Sequence, residues 1–544
     1  MKPFFLSFIT IFCLGFNIIT GVNMAHASFM EQILVHTKAI SLGNSVTANP
    51  PGIMSIHYNP AGLSNMDEGI VLNQGFAVVR LERTYKFEPD PDYTKKPNYK
   101  FDPYDDYISF SKGKVRHGRI YLPFAGAINL PVLVAPVPSG ISYKKPCSKW
   151  TFANGIYAPF AGGFEHKHED PSRFQGEEVY LQHLMYASPS VSYQVNDQLS
   201  LGVSLGFGQT AMGALTDVRA PALVDLIDTI KDIAGRGIQG APPFYANIGL
   251  FDKVADMEFD VRDDITPSFN VGILFHPTQW MSLGAVYQSS IKVDLVGRYT
   301  FEYGDETMKM LNWLKNQTML QTWDRSHVNQ RKERGRLEMV DFEFPQRVQL
   351  GVMLKPFKRL KFMFDAHWTD WSSTEAYIMK FDQDIQVLMM TKMLGYEGTS
   401  KLLVYPKQFD SPWHFSFGLE YQMLDWLSVR VGYEDRQTCA KDHLFDLFSL
   451  PDVDMFGGGF GIQWMPGLDI DLGVGYLTYN NYVVPNNTST NLNFTGDKIP
   501  VYSPYAGQDY ETSFNTFIAT MNVEVSFDLL KNFVERQLMY WGIL

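Results

Sequence analysis

From about residue 190 onward the chain alternates between apolar and small or polar residues. Phe415, Phe417, Leu419, Tyr421 and Met423 are separated by Ser416, Gly418, Glu420 and Gln422. Leu427, Val429, Val431 and Tyr433 repeat the pattern against Ser428, Arg430, Gly432 and Glu434. Leu468 to Tyr476 repeats it against Asp469, Asp471, Gly473 and Gly475. A period of two places the two sets on opposite faces of a strand. Fourteen candidate strands follow: 70–87, 115–137, 149–166, 179–195, 198–213, 256–275, 280–303, 334–356, 359–379, 411–424, 425–438, 452–466, 468–482 and 512–528.

A water-soluble sandwich alternates too, so the period alone does not choose the class. Three features favour an antiparallel barrel in lipid. The apolar faces run for about nine to eleven residues, the length a tilted strand needs to cross a bilayer. The opposite faces carry Gly, Ser, Asp, Arg and Gln, which suits an enclosed polar lumen. Connections alternate between tight ones, such as Val195–Gln198, Pro356–Arg359 and Leu424–Trp426, and long ones near 214–255, 303–335 and 380–411. That asymmetry matches short periplasmic turns and long external loops. Trp280, Trp426 and Trp464 sit at the tight-turn end, where an interfacial aromatic girdle belongs. The strands either side of Leu424–Trp426 share odd apolar positions, so a three-residue turn sets Glu420 opposite Arg430 as a cross-strand ion pair.

Composition sharpens this. The 544 residues are 14% aromatic but only 19% charged, with a formal net charge of −12. Such a balance lacks the clustered cations a nucleic-acid surface needs. Lys2, the apolar Phe4–Thr20 run and Ala25-His26-Ala27 read as a signal peptide over 1–27. Of the cysteines that remain, Cys147 falls in an inner turn and Cys439 in an outer loop, which predicts two free thiols. The chain contains no HExxH, P-loop or GxSxG motif, and neither an enzyme, a cofactor nor a metal site is expected.

Residues 39–63 include Ala48-Asn49-Pro50-Pro51-Gly52 and Asn59-Pro60-Ala61-Gly62-Leu63. Tyr157-Ala158-Pro159-Phe160, Ser282 to Tyr287, Phe344-Pro345, Thr369-Asp370-Trp371-Ser372-Ser373 and Leu450-Pro451-Asp452 follow in order. This set resembles the FadL-type long-chain fatty-acid transporters. The resemblance implies a fourteen-stranded outer-membrane barrel, plugged by an N-terminal hatch (28–68) and continuous over 69–528. Hydrophobic molecules would be captured outside and released sideways into lipid through a kink in the third strand. The chain departs from the pattern by continuing to Leu544; Leu529-Leu530, Phe533-Val534, Leu538 and Trp541 space like an amphipathic helix, read as a periplasmic or interfacial tail over 529–544.

The residues themselves fit such a route. Pro60 removes a backbone donor and holds Asn59 extended, which by itself reads as an Asx turn at a domain entry; the resemblance implies instead that Asn59, Pro60 and Ala61 form a hatch–wall contact. Tyr157, Pro159, Gly162 and Gly163 mark a place where a ladder cannot run smoothly. Leu223, Leu226, Ile227 and Ile230 recur at helical spacing in one external loop, and Met310, Leu311 and Leu314 mark the next, as a capture groove. Arg430 is the chosen lumen cation for a carboxylate. The expected partners are a fatty acid or hydrocarbon, outer-membrane lipid and the barrel-assembly machinery, with a monomeric protein. A general porin is the alternative, and an outer-membrane phospholipase using His183, His276 or His367 a more distant one.

Overall fold

The computed structural model describes residues 35–95, 102–123, 125–135, 138–219, 251–315, 330–393, 399–440, 450–484, 504–505 and 507–540. Fourteen antiparallel strands form one closed sheet. They begin with β1 (Gly69–Pro89) and β2, which is broken into Lys112–Lys114, Leu133–Ala135 and Ser139–Lys144. Next come β3 (Trp150–Glu165), β4 (Glu178–Ala187 and Ser190–Gln194), β5 (Leu199–Arg219) and β6 (Lys253–Thr278). Four interrupted strands follow: β7 (Met281–Gln288 and Val296–Tyr303), β8 (Lys332–Val340 and Arg347–Phe357), β9 (Leu360–Thr369 and Ala376–Phe381) and β10 (Leu402–Pro406 and Trp413–Leu424). The last are β11 (Leu427–Arg436), β12 (Val453–Met465), β13 (Leu468–Val484) and β14 (Gln508–Ser526). β14 pairs back onto β1, from Val71 opposite Ser526 to Pro89 opposite Gln508, which closes the cylinder.

The burial is the reverse of a soluble sheet. On β5 Leu205 is 50% exposed while its neighbour Ser204 is 1% exposed. Val431 on β11 and Phe517 on β14 are likewise half exposed, whereas Ser416 and Asn522 are buried. Large apolar side chains facing outward around small polar ones are stable only against acyl chains. No described helix is long and apolar enough to cross a membrane, so the crossing is made by strands.

Two local departures from the alternation matter. The expected single strand 115–137 is instead interrupted by a hairpin, His117–Leu122 with Gly126–Leu130, which pairs with the wall where His117 and Gly118 meet Glu165 and Phe164 and packs on β4 through Arg119 with Glu178 (2.8 Å) and the stacked rings of Tyr121 and Tyr180. In β6 a register shift opposite Gly208–Thr210 swaps the outward set from odd residues, such as Phe269, to even ones, such as Arg262.

Residues 35–66 lie within the cylinder, with two short helices, α1 (Thr37–Ser41) and α2 (Ser55–Tyr58). The wall approaches them through inward-facing glycines. A Cβ at Gly432 would fall 2.0 Å from the carbonyl carbon of Leu42, and one at Gly202 only 2.1 Å from that of Pro60. The external side carries α3 (Asp305–Lys315) and α4 (Gln386–Met393). α5 (Phe527–Tyr540) continues from β14 with Leu530, Phe533 and Val534 exposed on one face. Cys147 is exposed and Cys439 buried, and no disulfide joins them. The expected leader (1–27) and residues 28–34 lie outside the described residues.

Candidate functional site

The third strand breaks where its sequence predicts. Pairing of β3 with β2 ends at Ile156 opposite Ser139, and the next partner on that side is the hairpin, at Phe164. On the other side Tyr157 faces Met185 and Phe160 faces His183, so Ala158 and Pro159 are two residues against one. Pro159 has no amide hydrogen to donate, and a bulge is the place a sheet tolerates it. Gly163 is required for a different reason. A Cβ there would lie 2.4 Å from the carbonyl oxygen of Arg119 and 2.7 Å from that of Val179.

Apolar space lies behind this seam. One cavity of ≈ 100 Å³ is walled by Leu81, Phe160, Gly162, Leu181, Leu450 and Phe514. A smaller one of ≈ 40 Å³ touches His57, Tyr157, Pro159, Phe160, Met185 and Arg347. Phe160 is common to both, and its ring stacks on Phe344 at 4.5 Å. Toward the mouth, Tyr299, Phe301, Phe381, Met257, Met339 and Leu337 continue the same buried cluster.

The enclosed segment packs Leu42, Val46, Ile53, Met54 and Ile56 into the main apolar cluster and is also tied to the wall by polar contacts. Asn59 is fully buried; its Nδ2 donates to the carbonyls of Thr47 (2.9 Å) and Ile273 (3.0 Å), and its Oδ1 accepts from the Ala61 amide (3.1 Å). Asn44 donates to Glu434 at 2.8 Å, the Thr47 amide to Asp365 at 2.7 Å, and the Ile53 amide to Glu524 at 3.1 Å. Burial, reinforced by the charge of Arg347, pushes the His57 imidazole down to about 3, so the ring is neutral between Tyr58 and Tyr157.

A closed fourteen-strand barrel, an N-terminal segment inside it and an interrupted third strand are now in hand. The family model described as outer membrane protein transport protein (OMPP1/FadL/TodX) matches residues 17–527. The chain belongs to this family. Its members are outer-membrane transporters of hydrophobic compounds and not enzymes. Solved structures agree in fold. A Pseudomonas aeruginosa FadL homologue superposes with a TM-score of 0.62 at 15% identity, covering 92% of this chain and 100% of its own. The Pseudomonas putida toluene transporter TodX gives 0.58 at 14%, covering 92% and 100%. The Ralstonia pickettii toluene transporter TbuX gives 0.56 at 17%, covering 91% and 99%. Among curated proteins none matches the chain.

Within this FadL/TodX-type barrel the residues singled out from sequence separate into three groups. Asn59, Pro60 and Ala61 meet the inner wall at Gly202 and Gly272, and Tyr157, Pro159, Gly162 and Gly163 gather at the seam. Met310 and Leu311 do not form an open groove: both are buried in the mouth cluster with Leu388. Leu314 belongs to α3, and Leu223, Leu226, Ile227 and Ile230 lie outside the described residues.

Arg430 faces the lumen opposite Glu420, as the parity of the two strands requires. Its Nε donates to Glu420 at 2.7 Å, its Nη1 pairs with Asp471, and Lys361 adds a 2.6 Å contact to the same Glu420. This ion cluster lies beneath α1, where burial holds the Lys38 amine down to about 8, with Glu420 acting against that fall. Arg430 lines neither of the two seam cavities; Arg347 lines the smaller and Arg83 the larger, and the sequence did not distinguish either from other inward cations. His57 and Met185 were also missed. Only the proximity of Phe344-Pro345 to Arg347 hinted that an apolar wall and a cation meet there.

Proposed function

We propose that this transporter takes up long-chain fatty acids, with residues 28–68 as a hatch that blocks a free aqueous path. The ligand enters through the Met- and aromatic-rich mouth, passes Phe160, and leaves sideways between β2 and β3 into the membrane. The loss of ladder pairing over 157–163, backed by an apolar cavity, is the observation that carries this reading. An amphiphile crossing from lumen to lipid needs a gap in the wall and an apolar lining on its inner side. A general porin needs an open bore, which the enclosed segment occupies. The protein reaches the membrane through the barrel-assembly machinery and works as a monomer.

Arg347 supports an acid as cargo. It borders the seam cavity beside Tyr157 and Phe160, where a guanidinium can hold a carboxylate while the acyl chain follows the aromatic path. A monoaromatic hydrocarbon is the second reading, because ≈ 100 Å³ is nearer to one ring than to a long chain. The test is equilibrium binding of oleate and toluene to purified protein and to Arg347→Met. Fatty-acid transport predicts roughly tenfold or greater loss of oleate affinity, the worth of a charge-assisted bond, with toluene unaffected. Tight toluene binding without oleate binding would establish the second reading.

A further inference from the structure

The external continuations of β7, β8 and β9 carry an outward face unlike the rest of the wall. Arg298 on β7 lies directly opposite Arg336 on β8, and Arg334 stands opposite Thr300 one outward position further on. All three are exposed. Like charges placed opposite each other on one face oppose strand pairing unless something lies between them.

The acids nearby do not fill that role. Glu302 is engaged by Lys332 at 2.6 Å, Asp305 by Arg331 at 2.6 Å, and Glu338 by Lys380 at 3.2 Å. On the β6 side Asp260 accepts from the Tyr180 hydroxyl at 2.8 Å, and Glu258 sits opposite Thr300. Asp382, beside Arg336, turns toward Tyr299. Among the described residues none of the three arginines forms an ion pair. The patch therefore holds three guanidinium groups, with Asp260 and Glu258 along its β6 edge and Glu302 and Glu338, each engaged by a lysine, at its outer and inner ends.

Its height fixes what it meets. Ile265 on β6, 66% exposed, is the outermost strongly exposed aliphatic residue of that strand. Asp260, in register with Arg298, lies five positions further out. At about 3.3 Å per residue and a tilt near 40°, that sets Arg298 and Arg336 about 12 Å above Ile265, and Arg334, two positions further out, about 18 Å above it. This is above the layer of phospholipid head groups, at the height of the larger sugar head of a glycolipid, and the face is continuous with the lipid-contacting wall below it.

We propose that Arg298, Arg334 and Arg336 bind the phosphate groups of a phosphorylated glycolipid in the outer leaflet. Guanidinium forks recognise phosphate oxygens in pairs, and three on adjacent strands make a rigid anion platform. The barrel thus carries a fixed lipid on the flank formed by β7, β8 and β9, away from the β2–β3 seam.

Native mass spectrometry of the full-length protein in detergent tests this. Three probes are compared: bisphosphorylated lipid A, its dephosphorylated form, and inorganic phosphate as competitor. The expected result is retention of the bisphosphorylated lipid alone. Arg298→Gln/Arg334→Gln/Arg336→Gln should weaken it by roughly tenfold or more, while Lys86→Gln, an already paired cation elsewhere on the rim, leaves it unchanged. Heat-modifiable mobility reports that the barrel is folded, and Arg336→Gln alone serves if the triple variant does not assemble. Equal retention of both lipid forms, or by wild type and variant, overturns the proposal. Full displacement by inorganic phosphate overturns it too, since the patch would then be a site for free anions.

Discussion

Replacing Asn59 by alanine tests whether the enclosed segment is held by polar seating on the wall. The side chain makes three hydrogen bonds in a fully buried setting, two of them within the segment and one to Ile273 on β6. Alanine leaves a buried amide and two carbonyls each short of one partner. At about 1 kcal/mol for each lost bond, the seated state loses about 3 kcal/mol, or roughly two orders of magnitude in the seated-to-unseated ratio. Ser64, 5% exposed, is a suitable reporter. In a background with Cys147 and Cys439 changed to serine, Ser64→Cys reacts with a water-soluble maleimide in proportion to the unseated fraction. Asn59→Ala should therefore label about a hundredfold faster, with the barrel still migrating as folded. Asn59→Asp is the decisive companion. It preserves volume and the Ala61 acceptor but turns a carboxylate toward two carbonyls, so it should label at least as fast. If Asn59→Asp labels like wild type, the seat depends on shape and the hydrogen-bond argument is wrong.

Two further outcomes follow from the same contacts. Arg430→Met leaves the buried Glu420 and the partly buried Asp471 without their main counter-charge, at about 3 kcal/mol; the unfolding midpoint should fall while oleate affinity holds, and the opposite pattern would make Arg430 the ligand's cation. His36 and His57 are pushed by burial to about 4 and about 3, against 6.5 in water. The seated state therefore binds fewer protons than the unseated one, and seating is fully present above pH 6.5 and weakens as the pH falls toward 4. At pH 5 each imidazole contributes up to about 2 kcal/mol of that loss. His57→Gln should shrink the acid-induced rise in Ser64→Cys labelling at matched pH, and an unchanged rise would dismiss His57 as its source.

Much of the wall was legible because a period of two is dictated by geometry and one face meets lipid. The same parity placed Glu420 across from Arg430 without any knowledge of the fold. The inserted hairpin was not legible, since Ile120 and Leu122 alternate with Arg119 and Tyr121, and Ile128 and Leu130 flank Asn129, as they would in a strand through the membrane. Nor was the swap of faces in β6, which turns on one residue of register. The seating surface had a signal that went unread. Gly202, Gly272, Gly284, Gly432 and Gly457 all stand on the lumen side of their strands, and each faces backbone or side-chain atoms of residues 40–61 closer than a methyl group permits. A row of inward glycines marks where a second chain segment presses on the sheet. Arg347 escaped because its cavity is assembled from α2, β3, β4, β6 and β8, elements that no local pattern joins.

The pairing of the first strand with the last also governs how the molecule is made. Val71 cannot find Ser526 until nearly the whole polypeptide has been delivered, so the cylinder stays an open ribbon through most of its assembly. The N-terminal residues, though synthesised first, must wait beside that ribbon and be wrapped as it curls. Once the hydrogen bonds between β1 and β14 form, there is no way to thread them in afterwards, and a misplaced segment is sealed out for good.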